Sequence, residues 1–140
     1  MSRSLGLDVG ARRIGVAVSD EEGTFAQPLE VIEAGDLARA QRRILELAAE
    51  HEVTIVVLGL PLSLSGGDQG ISVARVRRLA QDLSSRFEGR IELFDERLST
   101  TAAERMLVAA GVRRNRRREV VDKVAAAIIL QAYLDAARSR

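Results

Sequence analysis

The sequence predicts an α/β domain built on a mixed five-stranded sheet, its first three strands antiparallel, with helices on both faces. Three observations carry this reading. Two short apolar runs are joined by Gly10-Ala11-Arg12-Arg13, a connection short enough for a hairpin. Later apolar runs alternate with stretches of helical period. One of them, residues 53–58, is continuously apolar and rich in β-branched side chains, as suits a strand buried on both faces. An antiparallel opening followed by strand–helix alternation implies a sheet covered by helices.

The elements follow in order. Residues 5–9 are an apolar strand that carries an acid, Asp8, near its end. Residues 14–19 are the second strand, and a third lies around 29–32, after the turn at Asp20-Glu21-Glu22-Gly23. Asp36 is placed to cap a helix in which Leu37, Ile44, Leu47 and Ala48 share one face. After the strand at 53–58, residues 59–70 read as loop, punctuated by Pro61 and Gly66-Gly67. Val73, Val76, Leu79, Ala80, Leu83 and Phe87 form the stripe of a second helix, and residues 91–94 form the last strand, ending at Asp95-Glu96. Thr101 and Glu104 have capping-box spacing for a third helix. A final helix spans about 119–137, with Val121, Val124, Ala125, Ile128 and Ala132 expected to face inward.

Composition narrows the chemistry. The 140 residues fit one domain, 1–140, with one sizeable core, and an apolar content of 46% favours burial over disorder. There is no cysteine, so thiolate chemistry is excluded, and with His51 as the single histidine zinc sites are poorly served. His51 sits near a helix C-terminus, where contact with carbonyls is the expected role. No apolar run approaches a membrane span and no signal-peptide pattern opens the chain, so the expected location is cytoplasmic. Net charge is only +1, but the basic residues are concentrated: Arg113, Arg114, Arg116, Arg117 and Arg118 crowd into six positions. Such a cluster on a near-neutral chain suits phosphate contact or a solvated loop. Aromatic residues make up 3%, which argues against base-stacking platforms.

Three acidic positions stand out by where they fall. Asp8 ends the first strand, Asp95-Glu96 ends the last, and Asp122 lies in the first turns of the final helix. Sites in α/β sheets gather beyond strand ends. Carboxylates converging there repel one another, and divalent cations such as Mg²⁺ or Mn²⁺ relieve that repulsion while binding phosphate oxygens. Asp8 could instead pair with an arginine or cap its turn. Asp95 and Glu96 point to opposite faces in extended chain, so one reaches the metals and the other binds Arg97 or a backbone amide. Asp122 could stabilise its helix through the macrodipole.

The motifs then converge. Gly6-Leu7-Asp8-Val9-Gly10, Arg13-Ile14-Gly15-Val16-Ala17, Ser19-Asp20, Val57-Leu58-Gly59-Leu60-Pro61-Leu62, Asp95-Glu96-Arg97-Leu98-Ser99-Thr100 and Val121-Asp122 resemble, in order, the YqgF family. These are Holliday junction resolvase-like proteins, also described as nucleases maturing the precursor of small-subunit ribosomal RNA. The resemblance implies a ribonuclease H-like fold and a metal site of acids from the first strand, the fifth strand and the final helix. They map onto Asp8, Glu96 (with Asp95 as alternate) and Asp122. Related junction resolvases carry a further acid on the last helix, where this chain offers Ala125 and Ala126.

The expected function is metal-dependent hydrolysis of nucleic-acid phosphodiesters in maturation of the 5′ end of precursor small-subunit ribosomal RNA, with Holliday junction resolution as the alternative. The expected partners are precursor ribosomal RNA or single-stranded or branched DNA, and the chain is expected to act as a monomer or a homodimer. The basic cluster at 113–118, with Arg12, Arg13 and Arg97, would hold the backbone, and Ser63, Ser65, Gly66, Gly67 and Asp68 form a loop suited to substrate contact. A non-catalytic nucleic-acid adaptor is the main rival. An ATPase of the actin or sugar-kinase type is a weaker one, because 140 residues leave no room for two lobes.

Overall fold

The computed structural model describes residues 2–61, 70–98 and 117–138, with side chains from 123 onward in the last segment. The strands are β1 (Arg3–Val9), β2 (Arg13–Ser19), β3 (Ala26–Glu33), β4 (Val53–Leu60) and β5 (Arg90–Asp95). The helices are α1 (Leu37–Glu50), α2 (Ile71–Ser84) and α3 (Arg117–Arg138), and a 3₁₀ turn at Glu96–Leu98 follows β5. The helix expected from Thr101, and the basic cluster before Arg117, lie outside the described residues.

One sheet of order β3-β2-β1-β4-β5 holds the chain together. β1, β2 and β3 are successively antiparallel, and β4 and β5 run parallel to β1. The β1–β2 hairpin pairs Asp8 with Gly15 and Val9 with Ile14, and its turn is closed by the Gly10 N–H donating to the Arg13 carbonyl at 2.9 Å. β3 is longer than its apolar stretch suggests. Its first residues pair across a register shift opposite Val16 and Ala17, and Pro28 is tolerated because β3 is an edge strand.

Strand alternation divides the core into two layers. Leu5, Leu7, Ile14 and Val16 meet Ile44 and Leu47 of α1 and Val76, Leu79 and Leu83 of α2 on one face. Ala17 and Val57 meet Ala126, Ala127, Ile129, Leu130 and Leu134 of α3 on the other. Asp36 caps α1 by accepting from the Arg39 N–H at 3.1 Å, and the His51 backbone N–H donates to the Leu47 carbonyl at the other end. Leu37, in the first turn of α1, stays half-exposed, unlike the rest of its expected face.

The two faces differ in the size of their side chains. Toward α3 the sheet presents Ser4, Gly6, Ala17 and Gly59, and the helix comes very close. A Cβ on Gly6 would lie 2.7 Å from Leu130 Cβ and 3.1 Å from the Ala126 carbonyl oxygen. The residues of α3 that are buried are Ala126, Ala127, Ile129, Leu130 and Leu134, whereas Val124, Ala125, Ile128 and Ala132 are only partly covered. This rotates the helix from its expected orientation. Val-Ala-Ala-Ala-Ile-Ile-Leu over 124–130 is apolar on every side, so periodicity has no polar face to mark the outside. The smooth patch of the sheet selects the inner face instead.

Candidate active site

Asp8 follows Leu7 in β1, so its side chain lies on the α3 face with Gly6 rather than in the Leu5–Leu7 layer. It is half-buried. Its partner in β2 is Gly15, and on the other side the β1–β4 register last pairs Leu7 with Leu58, one residue before Gly59. Asp8 is therefore flanked by glycine positions that leave room around its carboxylate.

Glu96 fills part of that room. β5 ends at Asp95, and the 3₁₀ turn beginning at Glu96 swings its side chain across Gly59, where an added Cβ would lie 2.9 Å from Glu96 Cγ. The Glu96 carboxyl comes within hydrogen-bonding reach of Asp8. Burial pushes it above the ordinary carboxylate range. The bond with Asp8 acts in the opposite sense, and repulsion from Asp95 adds to the rise.

Asp95 goes elsewhere. Its Oδ2 takes the Arg97 guanidinium at 2.6 Å, and its Oδ1 accepts the Arg97 backbone N–H at 3.0 Å. The Arg97 pair holds its carboxyl below the usual range. Of two adjacent acids, one meets Asp8 and the other makes both of the local contacts available to it. The same pair engages Arg97, so this guanidinium serves the turn as well as any substrate.

The third acid is located by its helix. Toward the C-terminus of α3, Gln131 Nε2 donates to the Thr24 carbonyl and its Oε1 accepts from the Ala26 N–H, beside the end of β2 that pairs with the start of β1. Ala126 lies over Gly6. The helix thus runs opposite to β1, and its first turns, which contain Asp122, lie toward the Asp8 end of the sheet. Asp122 is one turn before Ala126, about 6 Å along the axis.

Two carboxyl groups in mutual contact must share a proton or a cation. All the donor atoms are oxygen, which fits Mg²⁺ or Mn²⁺. Among the described residues no group of three potential ligands assembles; Asp8 and Glu96 supply two. The acid of the Ser19-Asp20 motif plays a different part. Asp20 Oδ1 accepts the Thr24 and Phe25 N–H groups, which depresses its pKa and shapes the β2–β3 turn.

Residues 2–136 match the family model described as RuvX, Holliday junction resolvase. The chain belongs to the RuvX family. A Myxococcus xanthus relative named "Putative pre-16S rRNA nuclease" is 48% identical over 136 residues, spanning 97% of this chain and 89% of the relative. A Geobacillus kaustophilus relative of the same name is 47% identical over 140 residues, spanning 97% and 99%. Among solved structures, Thermus thermophilus RuvC in complex with a Holliday junction substrate superposes with a TM-score of 0.64 at 15% identity, over 98% of this chain and 96% of that one. The fowlpox virus Holliday junction resolvase gives 0.57 at 9% identity, over 96% and 99%. The fold of this RuvX chain is accordingly ribonuclease H-like.

One glycine matters more to this RuvX site than its sequence pattern discloses. Gly59 lies within β4, and it is the absence of a side chain there that admits both Glu96 and Ile129 Cδ1. A glycine interrupting an apolar β-run is the signal that marks such a close approach. Arg12 is exposed in the turn after β1, and Arg13, the first residue of β2, is half-buried. Arg113, Arg114 and Arg116 lie outside the described residues, and Arg117 and Arg118 are placed only as backbone in the first turn of α3.

The raised pKa of Glu96 has a measurable sign. The folded chain binds this proton more tightly than the unfolded chain, whose reference value is 4.5. Its contribution is fully present below that value and is lost as pH rises through the folded value. In metal-free buffer, thermal unfolding at about pH 4 and pH 7 should show a smaller loss of stability for Glu96→Gln than for the parent. Equal losses in both proteins would mean that Glu96 is not the group responsible.

Proposed function

We propose that this chain is a metal-dependent nuclease that hydrolyses nucleic-acid phosphodiesters, acting in maturation of the 5′ end of precursor small-subunit ribosomal RNA. The observation that carries the reading is the Asp8–Glu96 carboxyl pair at the sheet end toward which the Asp122 helix turns lie. The names of the relatives supply the substrate. Asp8, Glu96 and Asp122 would hold Mg²⁺ or Mn²⁺, which would supply Lewis-acid stabilisation of phosphoryl oxygens and an acidified water. Gly59 keeps the carboxylates accessible. Arg12, Arg13 and the cluster at 113–118 hold the backbone, and Asp95 restrains Arg97 next to the site. The reading places the activity in one domain, 1–140, in the cytoplasm.

A second reading, cleavage of four-way DNA junctions, is favoured by the description of the family model. One observation weighs against it. The positions one turn beyond Asp122 are Ala125 and Ala126, so this chain carries no further acid there.

Matched precursor RNA, single-stranded DNA and junction substrates, incubated with Mg²⁺ or Mn²⁺, test the proposal. Cleavage of the RNA that disappears with Asp8→Asn is expected. Selective cleavage of the junction would install the second reading, and binding without cleavage of any substrate would leave an adaptor. Neutralising Arg12 and Arg13 together should reduce the slope of log affinity against log salt by roughly 1–2. An unchanged slope would remove the hairpin turn from the binding surface.

A further inference from the structure

We infer that a cleft on the α1/α2 face, beside the turn at residues 10–13, receives one unpaired nucleobase bearing an exocyclic amino group, adjacent to the bond that is cut. The inference rests on the nuclease reading above.

The cleft measures about 280 Å³ and is walled by Val9, Ala11, Ile14, Ala34, Leu37 and Leu79. That volume suits a small planar ligand and is below the size of ordinary drug-like sites. Its position ties it to the carboxylates. Val9 directly follows Asp8 and, by strand alternation, opens on the opposite face of the sheet. A strand of nucleic acid crossing the exposed turn at Ala11 and Arg12 places one residue at Asp8 and a neighbouring residue at the cleft.

The polar groups state what the cleft accepts. Gln41 is 7% exposed and lines it. Its Nε2 donates to Asp82 Oδ2 at 3.1 Å, and because a carboxylate only accepts, this contact orients the amide. Gln41 Oε1 then accepts no hydrogen bond from any described residue. Buried polar atoms are almost always paired, so an orphan acceptor in the wall of a cavity points to a donor from outside. Asp82 lines the same cleft, adding a second acceptor. An exocyclic amino group, as on adenine, cytosine and guanine, has two hydrogens that can serve both acceptors, whereas uracil and thymine offer only a single imide N–H. The apolar walls take the faces of the base without an aromatic platform. At the rim, Arg75 makes no ion pair among the described residues and Arg78 reaches Asp82 at 3.5 Å, both suited to a flanking phosphate.

The experiment uses the whole chain without divalent metal and a short single-stranded RNA in which one abasic site is moved along the sequence. One abasic position should weaken binding about ten-fold, the loss of a single base contact, while its neighbours change little. Uridine at that position should bind more weakly than adenosine or cytidine, because its single N–H leaves one of the two acceptors unserved. Two variants should erase this sensitivity. Gln41→Leu removes the acceptor, and Gly35→Phe fills the cleft from a position where an added Cβ meets nothing within 4 Å. Because Gly35→Phe starts from open space, it tests the pocket even if Gln41→Leu fails to fold. Uniform affinity at every abasic position, with salt-dependent binding intact, would overturn the base pocket and leave the nuclease reading standing. Retained sensitivity in Gly35→Phe would also overturn it. Absence of any RNA or DNA binding would overturn both.

Discussion

Asp8→Asn is expected to lower cleavage roughly a thousand-fold or more while leaving the fold and nucleic-acid binding intact, since the metal contribution to phosphoryl transfer amounts to several kcal/mol. Asparagine keeps the shape of the side chain and can still hydrogen-bond Glu96 across the Gly59 gap. It removes the charge. The half-buried position of Asp8, with Gly15 as its cross-strand neighbour, lets the exchange proceed without a cavity or a clash. Thermal unfolding in metal-free buffer should show the variant as stable as the parent or more so, because it removes one of two carboxylates in contact. Addition of Mg²⁺ should raise the unfolding temperature of the parent and not of the variant, because only a ligand-competent native state gains from binding. Wild-type turnover by purified Asp8→Asn would refute the carboxylate site.

Gly6→Val is expected to destabilise the protein by about 2–3 kcal/mol, the upper part of the range for forcing volume into a packed core. The Cβ alone would approach Leu130 Cβ at 2.7 Å and the Ala126 carbonyl oxygen at 3.1 Å, and valine adds two methyl groups beyond it. The backbone oxygen cannot rotate away, so α3 must lift from the sheet. Lifting it also moves the turns that carry Asp122. Cleavage should therefore fall further than the loss of folded protein explains. Chemical denaturation paired with activity per folded molecule separates the two effects. Gly35→Ala is the control: its Cβ meets nothing within 4 Å, and a change within about 0.5 kcal/mol is expected. Equal stability of Gly6→Val and the parent would show that the helix–sheet contact is looser than its geometry implies.

Much of the fold was legible from local pattern. The hairpin turn, the Asp36 cap, the stripe of α2 and the buried run of β4 each depend on residues a few positions apart. β3 was less legible, because Gln27 and Pro28 are strand residues only by virtue of pairing with β2. The site was legible in part. The position of Asp8 follows from an acid ending an apolar strand. The importance of Gly59 does not, since local pattern puts residue 59 at the start of a loop, whereas pairing with β5 extends β4 to Leu60 and makes this glycine a strand position open to close approach.

Asp8, Asp95, Glu96 and Asp122 were placed at element ends by the sequence alone, because strand and helix periods are properties of neighbouring residues. Tertiary structure decided which of them meet. Alternation puts Asp95 and Glu96 on opposite faces but does not say which face looks toward α3. Packing answers that: Phe94 and Tyr133 meet edge to face at 6.1 Å on the α3 side, and Glu96, two residues on, turns in over Gly59 to Asp8. The inner face of α3 was decided in the same way, by the small residues of the sheet beneath an all-apolar helix. A local period specifies that a residue has a side; the neighbour brought there by the rest of the chain decides what that side is for.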